Sequence, residues 1–259
     1  MRGFSLVELS IVLVILGLLT GGILAGRSLI RAAELRSMPT EVHKYNAAMM
    51  AFRDKYFALP GDMRNAVRFW GAQAGGAADG TDAACQALDF SSPATTQATC
   101  NGNGDGMIGW LESWRAWQQL ANAGLIEGTY TGVPGLLADT TWGTPGLNIP
   151  RSKVDPNGGY TYTWQGSVAV GNPSLFAGNY GNMLRYGGQN GVDQAGYLLA
   201  QEAWNIDTKM DDGKPSTGNM RGPKNASRPN CVSTDVETTA EYQLTTTIKQ
   251  CNLFFISGF

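Results

Sequence analysis

The sequence has few of the residue types on which enzyme active sites depend. Its 259 residues include one histidine, only 15% are charged, and the net charge is −2. It has no nucleophile-elbow, phosphate-binding-loop or zinc-protease motif, no basic patch that would suggest nucleic acid, and no Cys-x-x-Cys pair. These absences argue against an enzyme, against a zinc or thiol-redox site and against a nucleic-acid partner.

What the sequence does have is a long apolar run at its start. Phe4 to Ala25 spans 22 residues, mostly Leu, Ile, Val and Gly, and its one charged residue is Glu8. That length suits one membrane-spanning helix. A carboxylate inside such a span costs roughly 2.5–3.5 kcal/mol on insertion scales, so Glu8 is expected to be functional and to have a partner.

The residues around Glu8 resemble a known processing site. Gly3 to Glu8, GFSLVE, is similar to the cleavage and methylation site of prepilins, the precursors of type IV pilins and of type II secretion pseudopilins. The resemblance implies that a prepilin peptidase cuts between Gly3 and Phe4 and methylates the new amine. It also implies that Glu8, the fifth residue after the cut, pairs with the Phe4 amine of a neighbouring subunit in a filament.

A secretory signal peptide is the alternative interpretation of this segment. It would be cut near Ala25, which is followed by another small residue. Glu8 within the apolar core argues against a signal peptide.

The sequence predicts an α+β, pilin-like fold. Residues 1–3 would be a cleaved leader, 4–57 one long helix kinked at Pro39, and 58–259 a loop-rich head with an antiparallel sheet. The first half of the helix, 4–25, would be the membrane span and later the filament core. Its second half carries an apolar stripe at helical spacing, which predicts packing against the head: Val42, Tyr45, Met49, Phe52 and Tyr56.

Further elements are predicted along the head. Strands are expected at 126–130, 160–170 and 184–186, where β-branched and aromatic residues lie between turn signals. The last strands are expected within 236–256, including 242–248. Helices are expected at 113–123 and 197–209 from their apolar spacing. His43, one residue off the apolar stripe, is expected to be a solvated surface residue.

Four cysteines, Cys85, Cys100, Cys231 and Cys251, follow the apolar run. An even number beyond a membrane helix suggests disulfides in an oxidising compartment, and three pairings are possible. Cys85–Cys100 with Cys231–Cys251 is preferred, because each closes a short loop; free buried thiols are the alternative. The second pair also resembles the C-terminal disulfide loop of many pilins.

The segment 101–112 follows the calcium-loop pattern of EF-hands, with Asn in place of the first Asp. Side-chain oxygens at alternate positions can surround a cation, with a backbone carbonyl at the seventh position and a bidentate carboxylate at the twelfth. The predicted calcium ligands are Asn101, Asn103, Asp105, Met107 and Glu112; the alternative is a turn that binds nothing. Asp207, Asp211 and Asp212 form a second acidic group, for which a helix end with an acidic turn is the simpler interpretation.

These features together predict a structural subunit of a type IV pilus-like filament. The resemblance implies that its partners are copies of itself, prepilin peptidase and the pilus assembly machinery. It implies the inner membrane before assembly and an extracellular filament afterwards. Two alternatives stay open: a type II secretion pseudopilin, which would act in the periplasm, and a minor pilin with a ligand-binding head.

Overall fold

The computed structural model describes residues 5–73, 97–110, 112–133, 143–188 and 196–258. Within these residues the helices are α1 (Leu6–Tyr56), α2 (Val67–Trp70), α3 (Glu112–Asn122) and α4 (Ala200–Met210). The strands in the same residues are β1 (Gly158–Trp164), β2 (Ser167–Val168), β3 (Gly178–Asn179), β4 (Asn182–Gly188), β5 (Met220–Arg221) and β6 (Leu253–Ile256). The α+β class predicted from the sequence is confirmed.

The long helix α1 is continuous over 51 residues and passes through Pro39 without a break. Ser5 begins it as the N-cap, and Phe57 ends it in a left-handed conformation with φ of 54°. The predicted apolar stripe is confirmed, since Val42, Tyr45, Met49 and Phe52 are buried and Tyr56 is half-buried. His43, next to the stripe, is exposed as expected.

The second half of α1 packs on an antiparallel sheet with strand order β1-β4-β6-β5. The register pairs Tyr160 of β1 with Tyr186 of β4, and Leu184 of β4 with Phe255 of β6. β2 and β3 form a separate two-stranded ribbon. The predicted strands at 160–170 and 184–186 are therefore confirmed, the first as two shorter strands.

Aromatic residues fill the space between α1, α3 and the sheet. The ring of Trp117 on α3 lies 5.0 Å from Tyr45 and 5.2 Å from Tyr162. Because α3 presents Trp114 and Trp117 to this core, the helix predicted at 113–123 forms nearly in full. Gly124, with φ of 71°, follows its end.

Two predicted strands are wrong. Residues 126–130 form bends and irregular chain, and Gly124 and Gly128 hold positive φ of 71° and 96°, which an extended strand does not have. Residues 242–248 form no strand: buried Tyr242 makes an isolated bridge with Val232, and the exposed Leu244 and Ile248 lie in turns and bends after it. The last strand is β6, which lies within the range 236–256 expected for the last strands and takes its β-propensity from its two phenylalanines.

Polar contacts join α1 to the head. The Arg31 guanidinium donates to Glu202 on α4 through Nε at 2.6 Å and Nη2 at 2.9 Å, and its Nη1 donates to the carbonyl of Val154 at 2.5 Å. Nearly three turns further along α1, buried Glu41 accepts from the Tyr160 hydroxyl at 2.8 Å. The head therefore holds the helix from Arg31 onwards.

The predicted disulfide Cys231–Cys251 is confirmed, with a Cα–Cα distance of 5.1 Å, and it links the segment before β6 to the loop after α4 and β5. Cys100 is disulfide-bonded as well. Its predicted partner, Cys85, lies outside the described residues, so the pairing Cys85–Cys100 stays a prediction.

Candidate functional site

The first half of α1 is exposed on all sides. From Leu6 to Ile30 every residue except half-buried Gly26 is exposed, and the large apolar side chains are 50–86% accessible. Among the described residues, α1 is the one helix long and apolar enough to cross a membrane, judged by length and composition. A helix that is apolar all round needs an apolar environment on every face.

The start of α1 shows a role for Glu8 that the sequence analysis missed. Glu8 Oε2 accepts the Ser5 backbone N–H at 2.8 Å, while Ser5 Oγ accepts the Val7 N–H at 3.3 Å. This is a capping box, for which Ser-x-x-Glu before an apolar run is the sequence signal. The predicted processing residues Gly3 and Phe4 lie outside the described residues.

In the segment 101–112, the structure adds a carboxylate from elsewhere in the chain. Asp62, in the turn after α1, accepts the Asp105 N–H at 3.0 Å through Oδ1 and the Gly106 N–H at 2.9 Å through Oδ2. Carboxylate oxygens of Asp62, Asp105 and Glu112 lie within 4.8 Å of one another. No local spacing in the sequence connects Asp62 with this loop, since it lies 43 positions before Asp105.

The five predicted calcium ligands are only partly brought together. Asp105 and Glu112 converge with Asp62, and Asn103 lies beside them, donating from Nδ2 to Asp105 Oδ2 at 2.9 Å. Asn101 has another role, since its Oδ1 accepts the N–H of Val67, the first residue of α2, at 3.0 Å. The Met107 side chain is partly exposed, and its N–H donates to Asp105 Oδ1 at 2.8 Å.

Burial of this cluster affects the ionisation of its carboxylates. Asp62 and Glu112 are 3% and 4% exposed. Burial raises the pKa of Asp62 above its ordinary value, the backbone N–H donors lower it, and the Asp105 carboxylate raises it further. Three carboxylates this close repel one another when ionised, and a divalent cation bound by their oxygens would offset that repulsion.

The second acidic group is arranged differently. Asp207 is fully buried and accepts the Tyr242 hydroxyl at 2.7 Å and the Gly213 N–H at 3.1 Å. Asp211 Oδ2 accepts the N–H of Met220 at 2.9 Å, and Asp212 Oδ1 accepts that of Lys214 at 2.9 Å. All three carboxylates accept backbone N–H groups from the chain that follows α4. This agrees with the simpler interpretation, a helix end with an acidic turn.

No catalytic constellation forms around the single histidine among the described residues, since His43 is exposed on the outer side of α1. No protein-family model, curated protein or solved structure matches this chain. Its function must therefore be inferred from the apolar half of α1, the capped Glu8 and the acidic cluster.

Proposed function

We propose that this protein is a structural subunit of a type IV pilus-like filament, held in the inner membrane before assembly. One observation carries the proposal: the head buries one face of α1 from Met38 onwards, whereas every face of α1 is exposed before Ile30. An apolar surface of this extent is unstable in water. Lipid covers it in the membrane, and copies of the same helix would cover it in a filament core.

Glu8 supports the proposal through its geometry. One of its oxygens, Oε2, accepts the Ser5 N–H, while Oε1 has no partner among the described residues. A cut after Gly3 would leave a positive amine on Phe4 in apolar surroundings, where an unpaired charge is very costly. The second oxygen of Glu8 on a neighbouring subunit can compensate that amine while the capping box stays intact.

Substitution of Glu8 by Gln tests this role. A Gln at this position can still accept the Ser5 N–H, since capping boxes use either residue, but it carries no charge for the Phe4 amine. We expect Glu8→Gln to insert into membranes normally and to reduce the fibre yield strongly, by at least tenfold. Ser28→Ala, an exposed position on the same helix, is the matched control and should leave the yield unchanged.

Electron microscopy of fibres and intact mass of their subunits provide the readouts. The mass should show loss of residues 1–3 and gain of one methyl group. A mass that corresponds to cleavage near Ala25, or an undiminished yield of Glu8→Gln fibres, would contradict the proposal. A secretion defect without surface fibres would favour the pseudopilin, and a low abundance of the chain along fibres would favour the minor pilin.

We also propose that the acidic cluster binds calcium. The specific observation is that buried Asp62 joins Asp105 and Glu112, which provides three carboxylates where the sequence offered two. Asp62 then takes the place of Asn101, whose side chain caps α2. Oxygen-rich sites of this kind in extracellular proteins bind calcium with Kd of about 10⁻⁴–10⁻³ M.

Calorimetry of the full chain in detergent tests the calcium site. At 10 mM calcium, a Kd in this range stabilises the fold by about 1.4–2.7 kcal/mol, which raises the Tm by roughly 3–10 °C relative to EDTA. Asp62→Asn should abolish that increase, whereas Asp54→Asn, an exposed carboxylate on α1, should retain it. Identical melting curves with calcium and with EDTA would refute the site.

A further inference from the structure

A cleft of about 830 Å³ opens where α1 ends, at the opposite end of the helix from its apolar half. Its walls come from the last turn of α1, the turn that follows, α2 and the loop at 104–106. We call it the arginine cleft and define it by Arg53, Tyr56, Phe57, Arg64 and Arg68. The volume lies within the roughly 300–1,000 Å³ that is typical of ligand pockets.

The three arginines give the cleft an excess of positive charge over the single carboxylate among the described residues of its lining, that of Asp62. All three are exposed, and none forms an ion pair with a described residue. Arg64 is also held in place, because its Nε donates to the carbonyl of Asn103 at 2.6 Å and its Nη2 to that of Gly104 at 3.3 Å. A fixed guanidinium with a remaining N–H group suits a carboxylate or a similar oxyanion.

Phe57 is held in an unfavourable state at the edge of this cleft. Its φ of 54° is left-handed, where glycine is the usual residue after a helix. A residue with a side chain is strained in that region, and this side chain is also 92% exposed. This exposed aromatic ring lies next to three arginines. The combination suggests a ligand that carries negative charge and also has a ring face to stack on Phe57.

We propose that the arginine cleft binds an acidic polysaccharide, with uronate carboxylates on the arginines and sugar faces on Phe57 and Tyr56. The opposite wall favours a sugar over a polynucleotide. Asp105 is exposed between the wall residues Gly104 and Gly106, and its carboxylate accepts hydrogen bonds from hydroxyl groups, which a sugar ring offers and a DNA backbone lacks. Asn65, exposed on the same wall, offers both a donor and an acceptor.

This binding does not require filament assembly. The neighbouring acidic cluster shares Asp62 with the cleft, so EDTA is used to remove calcium, which separates this test from that of the calcium site. Full-length protein in detergent micelles with EDTA is titrated into fluorescently labelled hexagalacturonate, and anisotropy reports binding. Neutral maltohexaose and a hexamer of thymidylate are measured in parallel. We expect saturable binding of hexagalacturonate only.

Single substitutions provide the sharper test. Arg64→Gln and Arg68→Gln should each weaken binding about tenfold, as expected when a charge-assisted hydrogen bond is lost. Arg36→Gln, an exposed arginine elsewhere on α1 without an ion pair among the described residues, should leave the affinity unchanged. Phe57→Gly should weaken binding while raising the Tm, because glycine removes the backbone strain; misfolding cannot produce that combination.

The inference fails if hexagalacturonate does not bind, or if Arg36→Gln weakens binding as much as Arg64→Gln does. Preferential binding of the thymidylate hexamer would overturn the polysaccharide assignment in favour of a polynucleotide site. Unchanged affinity in Phe57→Gly would show that the exposed ring takes no part in binding.

Discussion

Asp207 makes the stability of the head depend on pH. Its carboxyl group is fully buried, and burial is the main reason that its pKa rises from 3.8 to about 7; the hydrogen bonds from Tyr242 and Gly213 lower it, and the nearby carboxylates of Asp211 and Asp212 raise it. The unfolded chain releases this proton near pH 4, whereas the folded chain keeps it until about pH 7. Raising the pH across that interval therefore lowers the free energy of unfolding.

The size of this loss of stability follows from the pKa shift of Asp207. About three pH units at roughly 1.4 kcal/mol each give a loss of about 4 kcal/mol between pH 4 and pH 8. For a chain of this size, that loss corresponds to a decrease in Tm of roughly 8–16 °C. Asp207→Asn carries no titratable group at this position, so its stability should lack this contribution at every pH.

Thermal unfolding of the full chain in detergent, followed by near-ultraviolet circular dichroism with EDTA present, measures the effect. The Tm of the wild type minus that of Asp207→Asn should fall as the pH rises from 4.5 to 8, whatever constant offset the amide introduces. Asp54→Asn should follow the wild type, since this carboxylate is exposed. A difference that is independent of pH, or that grows with pH, would refute the reasoning.

Three further predictions concern the packing of the head. Arg31→Met should lower the stability by about 2 kcal/mol because it leaves the carboxylate of Glu202, 11% exposed, without its cation; chemical denaturation should show partial recovery when Glu202→Gln is added. Replacing both Cys231 and Cys251 with Ser, which opens a loop of sequence separation 20, should cost about 3 kcal/mol in the same assay. Gly102→Ala should lower the stability by roughly 1–3 kcal/mol in that assay, because its Cβ would overlap the backbone of Gly61 and Asp62. Gly106→Ala, for comparison, has open space at the Cβ but a φ of 82°, and it should lower the stability by about 1 kcal/mol.

The sequence predicts best the features that depend on local periodicity. The apolar run is helical, and the stripe from Val42 to Phe52 is buried, because spacing along one helix determines which side chains share a face. The strand prediction for 126–130 failed where Gly124 and Gly128 hold positive φ, which an extended strand does not have. High β-propensity in a short segment does not ensure that it finds a pairing partner.

The sequence pattern could not predict contacts between residues that are far apart in the chain. Asp62 reaches the acidic cluster from 43 positions away, and Glu202 reaches Arg31 from 171 positions away. Neither residue lies in a spacing that local rules recognise, and both are placed by the packing of the head on α1. The loop pattern in the sequence therefore located the candidate calcium site. One of its three converging carboxylates, that of Asp62, could be identified only from the structure.

The Arg31 contact also defines how the apolar helix meets the head. Leu6 to Ile30 spans 25 residues, which at 1.5 Å per residue is about 37 Å, somewhat longer than the roughly 30 Å hydrocarbon core of a bilayer. In the proposed membrane-bound state, this excess would place Arg27 near the interface and Arg31 just outside it, where Arg31 pairs with Glu202. No flexible linker separates the exposed segment of α1 from the part that the head holds, since the helix is continuous across Arg31. In the proposed filament subunit, this continuous helix would couple any movement of the head to the apolar half.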